Sequence, residues 1–119
     1  MPKSRSKVTA GDFRRLALAF PEAEERAHGG HPDFRVGGKI FATLGSPDMD
    51  WGMVRLTRDQ QDVLLAAEPE MFKPASGAWG QQGCTLVRLE AIDTVTLKSA
   101  LTMAWRYRAP KKLQAKYSV

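Results

Sequence analysis

Cysteine is almost absent. A single residue, Cys84, stands in 119, so no intrachain disulfide is available and a reducing, cytoplasmic compartment is expected. No apolar run approaches the ~20 residues that a membrane-spanning helix needs, which argues against a membrane protein. The opening "MPKSRSKVTAG" is charged with no apolar segment behind it, and no secretory signal is expected there. Repeats and low-complexity tracts are lacking too. Acidic residues are missing from both ends. Residues 1–7 carry Lys3, Arg5 and Lys7, and residues 94–119 carry Lys98, Arg106, Arg108, Lys111, Lys112 and Lys116, with no acid in either stretch. The middle then holds nine basic residues against all 13 acidic ones, a net of −4 beside +5 for the whole chain. Basic ends attract polyanions or acidic partners, or serve only as solubilising tails.

What is present suits one soluble α+β domain, since 43% of the residues are hydrophobic and 26% charged. We read residues 1–119 as a single domain with a short basic N-terminal arm, 1–8, and a basic C-terminal tail, 110–119. "TAGDFRRLALAFP" predicts a first helix, with Thr9 and Asp12 at capping-box spacing and an apolar stripe of Phe13, Leu16, Ala17 and Phe20. Pro21 ends it. "EAEERAHGGHP" reads as an acidic connector with turn residues. "DFRV" and "KIFATL" read as a hairpin about Gly37 and Gly38. A three-residue turn, Gly37 to Lys39, places Phe34, Val36, Ile40, Ala42 and Leu44 on one buried face, with Arg35, Phe41 and Thr43 opposite.

A third strand, "WGMVRL", precedes a helix in "TRDQQDVLLAAEP", which Thr57 and Gln60 cap and Pro69 follows. "CTLVRL" is a further strand, with "AWGQQG" as a short partner for it. Asp93 caps the last helix, whose Leu97, Ala100, Leu101, Ala104, Trp105 and Arg108 share one side. Short loops predict an antiparallel sheet of four to five strands, with the helices packed on one face and the other face open.

The histidines of "HGGHP" invite a metal reading, yet Gly29, Gly30 and Pro32 deny them a helical turn, and the remaining soft ligand, Cys84, lies in another strand. We expect no metal there and no cofactor. His31 remains a candidate surface ligand contact, because titratable residues on ordered turns are often used. No Gly-x-Ser-x-Gly elbow or Walker loop occurs, and a thiol inside an apolar strand is usually inert, so no catalytic residue is assigned and no enzyme is expected.

The stronger pattern is a repeat: "FRV", "VRL" and "VRL" set Arg35, Arg55 and Arg88 between apolar neighbours in three strands, which sends the arginines to the open face. Trp51 shares the parity of Arg55. Such arginines either meet phosphates with their forked donors or lie along the sheet with their stems covering it. Trp79, in "GAWGQQG", either plugs an edge of the core or offers a binding platform, and plugging buries more area.

These segments resemble one family. "GHPDFRVGGKIFATL", "WGMVRL", "AAEPEMFKPASGAWGQQGCTLVRL" and "AWRYRAPKKL", in this order from about Phe13 to Leu113, look like the MmcQ/YjbR family. The resemblance implies a frataxin-like α+β fold and a DNA-binding role through a double-wing motif. Cys84 departs from the family, standing where relatives often carry an aromatic residue. Frataxins bind iron on an acidic surface; here the first helix carries Arg14 and Arg15 beside Asp12, so iron binding is not carried over. Three readings follow. The first is a DNA-binding monomer contacting phosphates through Arg35, Lys39, Arg55 and Arg88 on the sheet and Lys111 and Lys112 at the end. The second is a protein- or small-molecule-binding module using the sheet face, which requires a concave pocket near His31 or Trp79. The third, an enzyme, has no nucleophile–base pair to support it.

Overall fold

A computed structural model of the chain describes residues 8–118; residues 1–7 of the basic arm, with Lys3, Arg5 and Lys7, lie outside the described residues, while Val8 joins the core. The first helix, α1 (Ala10–Leu18), starts from the expected capping box, in which Thr9 and Asp12 satisfy each other's backbone N–H groups. Then come β1 (Glu24–His28), β2 (His31–Val36), β3 (Lys39–Leu44), β4 (Trp51–Arg55), α2 (Arg58–Ala67), β5 (Phe72–Pro74), α3 (Gly77–Gln81), β6 (Cys84–Arg88), α4 (Thr94–Arg108) and α5 (Lys111–Lys116). The strands form one antiparallel sheet in the order β1-β2-β3-β4-β6-β5. Among the described residues no helix is long and apolar enough to cross a membrane.

The sheet thus has six strands, one more than the upper expectation. The extra one is β1, in the stretch read as a connector. His28 pairs with His31 across Gly29 and Gly30, whose φ values of 56° and 81° give the left-handed pair of a tight hairpin turn. So "HGGH" is a hairpin. "AWGQQG" also differs from expectation: it supplies the short helix α3, and the strand beside β6 is Phe72–Pro74. Pro74, lacking an N–H, is tolerated there because β5 is an edge strand. The C-terminal tail carries α5, whose Leu113 packs against the core together with Tyr117 just beyond it.

The β2–β3 register corrects the three-residue turn. Val36 pairs with Lys39 across Gly37 and Gly38 alone, and the pairing then slips between Phe34↔Ala42 and Arg35↔Ile40. Phe41 is the extra residue of a β-bulge. The bulge restores the expected parity of Ala42, Leu44 and Thr43 but exchanges their two predecessors. Phe41 is fully buried beside Phe20, while Ile40 turns to the open face and is half-buried.

The core lies between the sheet and α1 with α4. Phe13, Ala17 and Phe20 from the first helical segment meet Leu97, Ala100, Leu101, Ala104 and Trp105 of α4, all on the expected stripes. Full burial of each large side chain such as Phe13 or Phe34 contributes about 1.5–3 kcal/mol. Trp105, buried throughout, donates its indole N–H to the Pro21 carbonyl at 3.0 Å. Gly52 in β4 leaves room for this packing: a Cβ there would lie 2.6 Å from Phe13 Cε2. Gln61 of α2 reaches across to the β6 end, its side-chain amide donating to the carbonyls of Gly80 and Cys84.

Candidate functional site

Strand parity builds the face that the helices leave open. Trp51, Met53 and Arg55 of β4 stand opposite Arg88, Leu86 and Cys84 of β6, and Lys73 of β5 stands opposite Leu86. Thr43 faces Met53 on one side and Asp33 on the other. All three arginines of the repeat therefore lie on this face, as the alternation requires. Their surroundings differ.

Arg35 is an ion-pair partner. Its Nε donates to Asp33 Oδ1 at 2.8 Å and its Nη2 to Oδ2 at 3.1 Å. Asp33 is wholly buried on the sheet, and His28 Nδ1 comes within 2.7 Å of Oδ2 from the neighbouring strand. The Arg35 guanidinium holds the Asp33 carboxyl below the usual carboxylate range and is itself raised in return. Asp33 and Arg35 are two apart on one strand, hence on one face, a signal the sequence carries in "DFR". Arg88 is engaged differently. Its Cζ lies 4.5 Å from the Trp51 ring centroid, while Lys73 Nζ lies 5.0 Å from it. These two side chains leave Trp51 only 8% exposed on a face otherwise open.

Arg55 has no such arrangement. Its Nε is buried and lacks a hydrogen-bond partner among the described residues. Such an atom costs stability unless something meets it. The guanidinium lies near Cys84, whose thiol burial pushes up and the arginine partly restrains. Arg55 opens into a cavity of about 490 Å³ over the sheet. Its floor is apolar, formed by Ile40, Met53 and Leu86. Trp79 of α3, 63% exposed, forms one wall, and His28, His31, Ser46 and Pro47 line the opposite end. Lys73 adds a second cation, and none of the lining residues carries a carboxylate.

Trp79 is therefore no core plug; it lines the cavity while remaining largely exposed. His31 reaches the same cavity and rests against Gly45, where a Cβ would lie 3.2 Å from its Nδ1. Among the described residues no three His, Cys, Asp or Glu side chains gather as a metal set. The sequence reading missed Lys73, Met53 and Leu86 in the cavity.

The remaining candidates gather at the β2–β3 turn. Pro110 packs so closely on Gly37 that a Cβ there would meet its ring at 2.6 Å. That contact starts α5, with exposed Lys111 and Lys112, beside the turn that carries exposed Lys39. Arg108 ties α4 to the same corner by donating its Nε–H to the Ile40 carbonyl at 3.0 Å.

Comparison with known proteins agrees with the architecture. A Deinococcus radiodurans protein whose crystal structure carries the DUF419 domain superposes with a TM-score of 0.72 at 15% identity, over 92% of this chain and 88% of that one. At that identity the likeness shows the fold. No curated protein matches the sequence. The YjbR family model matches residues 18–107, from the end of α1 almost to the end of α4. The chain belongs to the YjbR family.

Proposed function

We propose that the protein is a non-catalytic binding module that holds a small organic ligand on the open face of its sheet. The observation that carries this reading is the cavity of about 490 Å³, whose apolar floor adjoins two cations, Arg55 and Lys73, with no carboxylate in its lining. Small-molecule sites occupy about 300–1,000 Å³ and combine an apolar lining with a few convergent polar groups. A non-catalytic role is supported by Cys84, the one thiol, whose raised pKa keeps it a poor nucleophile. The buried thiol also suits a reducing cytoplasm. The charged edge strand β1, with Glu24, Glu25 and Arg26, discourages strand addition and supports a monomer. The test is a fragment screen by saturation-transfer NMR, repeated on Met53→Trp, which fills the cavity floor. Hits should vanish in the variant. Hits that persist, or none from a broad library, refute the reading.

A second reading, DNA binding, is supported by the corner where α5, which begins with Lys111 and Lys112, starts beside the turn that carries Lys39. Arg35 is left out of it, because its fork is occupied by Asp33. Three phosphate contacts give a log–log salt slope of about −2.7. Mobility shifts at two salt concentrations test it, and an affinity indifferent to salt ends it.

A further inference from the structure

We infer that the ligand is an organic anion: a carboxylate or phosphate ester on a planar apolar body, with the anionic group seated on Arg55 and the body against Trp79. The inference rests on the cavity reading above and names the chemistry that the cavity selects. Charge comes first. Arg55 and Lys73 line the cavity, no lining residue is acidic, and the one buried carboxylate nearby, Asp33, is already held by Arg35 and His28. Arg55 is one of the residues lining the cavity, and a forked guanidinium matches the two oxygens of a carboxylate or phosphate. Shape comes next. Arg55 lies at the end of β4, and the apolar floor of Ile40, Met53 and Leu86 adjoins it. Trp79 offers its indole to that space, a surface on which planar groups stack. The other two arginines of the face cannot serve equally, since Arg35 and Arg88 already engage Asp33 and Trp51.

Three probes of one shape separate the possibilities: 2-naphthoate, 2-naphthyl phosphate and neutral 2-naphthylmethanol. Binding is followed on the full chain by ¹H–¹⁵N NMR at the Trp79 indole N–H and the Arg55 Nε–H. The acid or the phosphate should bind at least about tenfold more tightly than the alcohol, a preference worth one charge-assisted contact. It should shift both signals, whereas the alcohol shifts Trp79 alone. Arg55→Met should abolish the preference and leave the alcohol's affinity within about twofold. Arg55→Lys, which keeps the charge without the fork, should retain part of it. If Arg55→Met does not fold, the Arg55 Nε–H response of the unaltered protein decides. Equal binding of anion and alcohol at Trp79 overturns the inference and leaves the cavity reading standing. No response at Trp79 to any probe overturns both. A preference that survives Arg55→Met and disappears in Lys73→Met refutes the seat on Arg55.

Discussion

Replacing Asp33 by alanine tests whether the charges on the sheet face are structural or available to ligands. The side chain is fully buried and binds both nitrogens of the Arg35 fork, at 2.8 and 3.1 Å, with His28 at 2.7 Å. Hydrogen bonds to charged groups contribute about 1.5–3 kcal/mol each, and stripping one partner from a fully buried pair costs about 3–5 kcal/mol. The cations here keep some water: the Arg35 and His28 side chains are 27% and 58% exposed. Both can rehydrate when the carboxylate leaves, so the loss should fall below that range, at about 2–3 kcal/mol for Asp33→Ala. Urea denaturation at pH 7 with an unchanged m-value would measure it. The converse change, Arg35→Ala, should cost more, because the buried carboxylate cannot rehydrate in place. It should also raise the Asp33 pKa above its present depressed position. A loss under about 0.5 kcal/mol for Asp33→Ala, the scale of an exposed ion pair, would refute the reasoning. Arg35→Ala proving the milder of the two would refute it equally.

The same carboxylate predicts an acid limb. Its folded pKa lies below the unfolded value of about 3.9, so its contribution is present above that value and is lost as pH falls through the folded pKa. The stability gap between the native protein and Asp33→Asn should therefore narrow in urea titrations from pH 5 toward pH 2. Gly52→Ala puts a methyl 2.6 Å from Phe13, which is wholly buried and has no space to swing, and should cost about 1–3 kcal/mol by the same assay. Gln61→Ala removes the donor to the Gly80 and Cys84 carbonyls, each at 3.1 Å, and should cost about 2–3 kcal/mol. Trp79→Ala should leave the thermal midpoint nearly unchanged, since the indole is 63% exposed, while weakening any cavity ligand; a large fall in midpoint would assign Trp79 to the core instead.

The helices were legible because each carries several agreeing local signals. Thr9 with Asp12 and Thr57 with Gln60 form the capping boxes their spacing announces, and Asp93 accepts from the Thr96 N–H at 2.7 Å. The apolar stripe of α4 is the face it buries. The strands were less legible where backbone pairing alone makes them. Glu24, Arg26, Ala27 and His28 of β1 are exposed, so the strand has no buried alternation to betray it and exists because β2 offers it a ladder. The bulge at Phe41 has a different origin. Two turn glycines impose Val36↔Lys39, which would have put Ala42 and Leu44 on the wrong face; one inserted residue repairs the parity and brings Phe41 into the core. The periodicity required one extra residue and did not say whether the turn or the strand would hold it.

The cavity was hidden for a related reason. Its residues come from all six strands and α3, so no segment contains it. A partial signal was nevertheless present. In "WGMVRL" and "CTLVRL" the arginines drew attention as polar members of an alternating pattern, yet Met53 and Leu86, two positions earlier in each strand, share their face and are apolar. Val54 and Val87 are fully buried on the opposite, helix-covered face. A strand that is apolar on both sides belongs to a sheet covered on both sides. Here the helices cover one side only, and Met53 pairs with Leu86 in the middle of the other. That apolar centre, framed by Arg55, Lys73 and Trp79, is what a solvated sheet face would not need and a ligand-bearing one would.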